Sequence, residues 1–226
     1  VTPEFDAITP HPEGIDPEQQ ILHERAYIVR AYRKDADTLL LRGAIRDQKP
    51  PGLYIPGDTE NLTVHHMIVD MHIAVPSLEI TTANVVLETH PHANCPRIED
   101  HYQHLVGMSI ARGYTHKVRE LFGGPRGCTH TTALLQAMGP VAIQSMWSFR
   151  VVAAREMGIT REQLASMGPE ARERSIAMNL NTCHIWAEDG EQVAAVREGR
   201  PMEVPVWIQR RYGELGMDPN SWRSDV

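Results

Sequence analysis

Phenylalanine is scarce in this chain, at 3 of 226 residues, and there are only 3 cysteines, Cys95, Cys128 and Cys183. An odd number of widely spaced cysteines argues against a disulfide framework and for free thiols in a reducing compartment. No apolar stretch reaches the roughly 18 residues that a membrane span needs. No basic excess exists either. Lys and Arg total 22 against 29 Asp and Glu, a formal charge of −7, which speaks against nucleic acid or an anionic membrane as partner. P-loop, dinucleotide-binding, G-x-S-x-G and H-E-x-x-H signatures are missing, which disfavours nucleotide and flavin chemistry. The acidic, proline-rich start is unlike a signal peptide, and the expected setting is cytoplasmic.

What the chain does hold is histidine, 12 in all, within an otherwise ordinary globular composition of 42% hydrophobic and 23% charged residues. Imidazoles and thiols together are the raw material of metal sites and nucleophilic catalysis.

Residues 1–20, with four prolines, are expected to form a flexible arm ahead of a single α+β domain over 21–226. Residues 25–32 and 38–46 carry strand texture around a polar turn, and 64–75 and 79–90 alternate with period two. Met67, Val69, Met71, Ile73 and Val75 share one face, with His65 at its end. The other face carries His66, Asp70 and His72. If the Pro76-Ser77-Leu78 loop sets the register, opposed positions sum to about 154, so Met67 faces Leu87 and His66 faces Glu88. Helices are expected over 98–106, 114–122 and from Thr131 to about Glu156, the last with Pro140 inside it and a buried stripe of Leu134, Met138, Val141, Ser145 and Phe149. Thr160-Arg161-Glu162-Gln163 reads as a capping box, Gly168-Pro169-Glu170 as a helix start, and the tail near Trp207 as a last helix. The expected fold class is therefore α+β, a four-stranded antiparallel sheet followed by helices packed on one face.

Three groupings carry chemistry. His65, His66, Cys95, Cys128, His130, Cys183 and His184 are the candidate ligands for a divalent metal such as zinc, with His65, Cys128 and His130 the expected set, although no finger-type spacing links them. Cys128, at the expected start of the long helix, has the placement of a thiol nucleophile with His130 as its partner. The polar hairpin face, with His66 and Glu88 opposed, offers acid–base pairs. Asp47 and Lys49 are expected to ion-pair where the second strand ends. Cys95 and Cys183 are expected to be small core fillers rather than ligands.

Arg46-Asp47-Gln48-Lys49-Pro50, His65-His66-Met67, Cys95, Leu105-Val106-Gly107, Gly123-Gly124, Gly127-Cys128-Thr129-His130 and Asn181-Thr182-Cys183-His184 together resemble the bacterial DUF2889 family, a domain of unknown function. The resemblance runs from about Arg25 to Gly190. The usual family pattern has an acidic residue where this chain has His66. The resemblance implies a shared site sought among His65, Cys95, Cys128, His130 and Cys183, and a setting in the catabolism of plant-derived aromatic compounds. In that setting the expected activity is a lyase: a base takes a hydroxyl proton, a C–C bond breaks and formaldehyde leaves. The expected catalytic groups are His65, His66, His130, Asp47 and Glu88, acting on a small molecule, with a homodimer as the expected assembly. A non-catalytic ligand-binding or interaction module and a cysteine-dependent hydrolase are the alternatives.

Overall fold

A computed structural model describes residues 9, 13–14, 21–111, 113–158, 168–200 and 203–223. The expected arm over 1–20 and the capping box at Thr160 fall almost wholly outside the described residues. The structure divides into two compact units, residues 1–146 and 147–226; each is described by itself.

The first unit opens with four strands in sequence order, each antiparallel to the next: β1 (Glu24–Arg33), β2 (Thr38–Lys49), β3 (Leu62–Ala74) and β4 (Ile80–Thr89). Alternation sorts their side chains. Leu39, Leu41 and Ile45 on β2, Met67, Val69, Met71 and Ile73 on β3, and Ala83, Val85 and Leu87 on β4 are all buried on one face. Through the middle of the β3–β4 hairpin the register is the expected one, with Met67 opposite Leu87 and Val69 opposite Val85. It slips between His66 and Met67, so His66 opposes Thr89 and not Glu88. A β-bulge of this kind adds one residue to a strand and shifts every later pairing.

Edge strand β4 is covered. A 3₁₀ segment, Cys95–Leu105, stands where a short helix over 98–106 was expected. From it, Glu99 accepts the Leu87 N–H at 2.6 Å, and the Gln103 amide donates to the Ala83 carbonyl at 2.9 Å. Side chains thus satisfy backbone groups that would otherwise invite another strand. Helix α1 spans Tyr114–Phe122 as expected, and α2 runs from Thr129 to Glu156 with Pro140 inside it. The buried stripe of α2 passes through Leu134, Met138, Ala142, Met146 and Phe149, while Val141 and Ser145 are only half-buried. The first half of α2 lies on the apolar face of the sheet, and Gly43 is the reason it fits. A Cβ there would come within 2.7 Å of the Met138 sulfur and 3.1 Å of a Leu134 methyl.

The second unit contains α3 (Pro169–Ile176), α4 (Glu191–Glu198) and α5 (Val206–Leu215). Ile176, Val193 and Val196 make its small core, with Leu180 and Trp186 packed against it. Arg197 ties Glu173 by two hydrogen bonds of 2.8 and 2.9 Å. Among the described residues, no helix is long and apolar enough to cross a membrane.

Candidate functional site

The β1–β2 register places Arg25 opposite Asp47, and the β2–β3 register places Asp47 opposite His65. The three side chains therefore form one row across the sheet, at the end of its core face. The ladder is irregular on both sides of this row, between Asp47 and Gln48 and between His66 and Met67. Bulges of this kind recur beside functional sites because they re-aim a side chain. His130 reaches the same point from the first turn of α2.

Two contacts hold that turn in place. The Cys128 N–H donates to the Tyr102 hydroxyl at 2.8 Å, and the Thr132 hydroxyl donates to the Phe122 carbonyl at 2.9 Å. Gly127 lets the chain pass: a Cβ on it would sit 2.5 Å from the Phe122 carbonyl oxygen.

Asp47 is the hub, with its side chain 2% exposed. Arg25 grips it through both oxygens, Nε to Oδ1 at 2.6 Å and Nη2 to Oδ2 at 2.7 Å, the bidentate geometry that makes such pairs strong. His130 Nε2 donates to Oδ2 at 3.0 Å. His65 Nδ1 lies 3.4 Å from Oδ2 and is buried without a hydrogen-bond partner, and His23 Nε2 lies 3.6 Å from the same oxygen. The His65 and His130 rings stack, with centroids 3.8 Å apart and 25° between their planes.

Charge and burial compete here. Burial pushes the Asp47 carboxyl up, but the Arg25 hydrogen bonds and positive charge, helped by His130 and His23, carry it below the ordinary carboxylate value. His65 is lowered by burial first and by His130 second, against a partial opposing pull from Asp47. Burial also lowers His130, with Asp47 again opposing and Arg25 adding to the fall. Arg25 is held more firmly protonated, chiefly through its hydrogen bond to Asp47. The result is one fixed negative charge, balanced by one arginine, facing two imidazoles that favour their neutral form.

The structure thus brings together Asp47, His65 and His130, three of the expected catalytic set. His66 and Glu88 are not with them. His66 follows His65 on the strand and so turns to the opposite face, and Glu88 is exposed. That outer face binds its own charges: Arg42 pairs with Asp70 through two 2.7 Å hydrogen bonds, and His72 contacts the Thr82 hydroxyl at 2.8 Å. The expected Asp47–Lys49 pair is replaced by Arg25–Asp47, and Lys49 instead lies over the Tyr54 ring, 5.5 Å from its centre.

Of the expected metal set, His65 and His130 converge with Asp47, their donor atoms all within 4.8 Å of one another. Cys128 stands outside that group. Its sulfur lies 3.8 Å from His130 Nδ1, the ring nitrogen turned away from Asp47. Cys95 is half-buried at the start of the 3₁₀ segment, and Cys183 and His184 are exposed in the second unit. Arg25 was the missed residue. The β1–β2 register that sets it opposite Asp47 joins positions 22 apart and is not fixed by strand alternation alone, since a one-residue slip would turn it to the other face.

Fold and site together define an α+β protein with a carboxylate–imidazole cluster set between a sheet and the start of a helix. The family model described as "Protein of unknown function (DUF2889)" matches residues 23–144, more than half of the 226, and the chain belongs to that family. Comparison with curated proteins and with solved structures finds no match.

Proposed function

We propose that this chain is a small-molecule enzyme of the acid–base type, a lyase acting on a hydroxylated aromatic compound at Asp47, His65 and His130. The observation that carries the reading is the 3.0 Å hydrogen bond from His130 Nε2 to a carboxylate already fixed by Arg25. With its Nε2 proton committed to Asp47, neutral His130 keeps its lone pair on Nδ1, where it can act as a base. In the proposed step that lone pair takes the proton of a hydroxymethyl O–H. The oxygen forms a carbonyl, the C–C bond breaks and formaldehyde departs. The electron pair left on the neighbouring carbon, spread into the aromatic ring, recovers the proton from His130. Asp47 stabilises the transient imidazolium by its charge, and the stacked His65 holds the ring in place. Tyr27, two residues from Arg25 on the same face of β1 and 40% exposed, offers ring surface for an aromatic substrate. Three free thiols suit a cytoplasmic setting, and a homodimer belongs to the same proposal.

Formaldehyde release from a panel of aryl compounds bearing a hydroxymethyl group on the benzylic carbon tests the reading. His130→Ala is expected to lower turnover by about 10²–10⁴-fold while leaving the circular dichroism spectrum unchanged. Full turnover in that variant would remove His130 from the reaction.

The Cys128–His130 contact of 3.8 Å favours a second reading, a thiol enzyme with Asp47 orienting the imidazole. Cys128→Ser separates the two, because the lyase tolerates it and the thiol enzyme does not.

A further inference from the structure

We infer that Asp47 Oδ2, His65 Nδ1 and His130 Nε2 form a binding site for one divalent transition-metal ion of the zinc type. Metal–ligand bonds to imidazole nitrogen and carboxylate oxygen run at about 2.0–2.1 Å, so neighbouring ligand atoms around a tetrahedral ion stand roughly 3.4 Å apart. The two nitrogens lie 3.0 and 3.4 Å from Oδ2, and all three donor atoms fall within 4.8 Å of one another. The His65 nitrogen that faces the carboxylate is buried and has no hydrogen-bond partner, a costly state for a polar atom that an ion would relieve.

The surroundings suit ligation as well. Arg25 holds the carboxylate by two hydrogen bonds, and the Cys128 sulfur lies beside His130 Nδ1, the nitrogen left free when Nε2 is a ligand. Such outer partners orient ligands and tune their basicity. Two imidazoles and one carboxylate select zinc, cobalt or nickel over magnesium and calcium, which prefer oxygen. Three protein ligands leave a coordination position open, as in catalytic centres. His23 Nε2 lies 3.6 Å from the same Oδ2. The Arg25 cation opposes a second positive charge, so the affinity is expected to be moderate.

The inference concerns the same cluster as the lyase proposal and does not depend on it. Proton removal by His130 Nδ1 belongs to the metal-free protein; in the loaded protein Nε2 is a ligand and Nδ1 carries the ring proton. The test is titration of chelator-treated full chain with cobalt(II), followed by its visible absorption and by equilibrium dialysis. The expected result is saturation at one equivalent, with affinity reduced roughly tenfold or more in His65→Ala and in His130→Ala and unchanged in Glu88→Ala, an exposed position away from the cluster. Thermal melts of each variant confirm that the protein remains folded. Absence of saturable binding by folded wild type, or binding indifferent to both histidine changes, would overturn the inference. Formaldehyde release by chelated protein that binds no cobalt leaves the lyase proposal standing without the metal. Binding without turnover on any compound of the panel does the reverse.

Discussion

Asp47 carries more than any other single residue. It is almost wholly enclosed, and its charge is tolerable because Arg25 meets both oxygens. Asp47→Asn keeps the shape but sets an amide against that guanidinium. Breaking a buried pair costs about 3–5 kcal/mol, but the Arg25 side chain is 33% exposed and water can replace part of the loss. The expected destabilisation is roughly 1–3 kcal/mol in urea unfolding, with loss of turnover at least as large as for His130→Ala. His66→Ala and Glu88→Ala set the contrast. Both residues lie away from the cluster, so each is expected to change stability by no more than about 0.5 kcal/mol and to leave formaldehyde release unchanged. A large effect from either would reopen the outer face as a reaction site.

The seating of α2 on β2 decides whether His130 reaches Asp47. Gly43 makes that seat, because Met138 and Leu134 occupy the space a side chain would need. Gly43→Val pushes the helix away or forces both side chains out of good rotamers. Such overpacking costs about 1–3 kcal/mol, to be read from thermal unfolding. Turnover should fall further than stability alone predicts, since His130 lies one helical turn from Leu134 and moves with it. Unaltered turnover in a destabilised Gly43→Val protein would show that the His130–Asp47 contact is not what the reaction needs.

The pH dependence of stability belongs to the whole molecule. His65 and His130 both titrate below the ordinary imidazole value of 6.5 in the folded chain. The unfolded chain therefore binds their protons first, and acid favours unfolding as the pH falls through 6.5 toward the folded values. Asp47 is depressed below 3.8 and adds a second loss as the pH drops below that value. Thermal midpoints measured from pH 8 to pH 3 should fall in two stages, and His130→Gln should shrink the upper one. A midpoint that stays level between pH 7.5 and pH 5 would contradict the burial of these imidazoles.

Local pattern alone determined the four strands, α1 and the course of α2, but neither the 3₁₀ form of Cys95–Leu105 nor helix α4. Period-two alternation marked the strands and set the central register of the β3–β4 hairpin. A glycine–proline stop bounded Tyr114–Phe122, and the apolar spacing from Leu134 to Phe149 marked the long helix. Alternation also put His65 at the end of a core face, and placement near element ends brought Asp47 and His130 under suspicion. Tertiary structure decided which of these residues meet. A bulge of one residue separated His66 from Glu88, a strand pairing supplied Arg25 in place of Lys49, and helix docking turned one nitrogen of His130 to Asp47 and the other to Cys128. Strand periodicity is written in neighbouring residues, whereas the partners of a buried charge are set by packing between segments 22 to 83 positions apart, which no local pattern encodes.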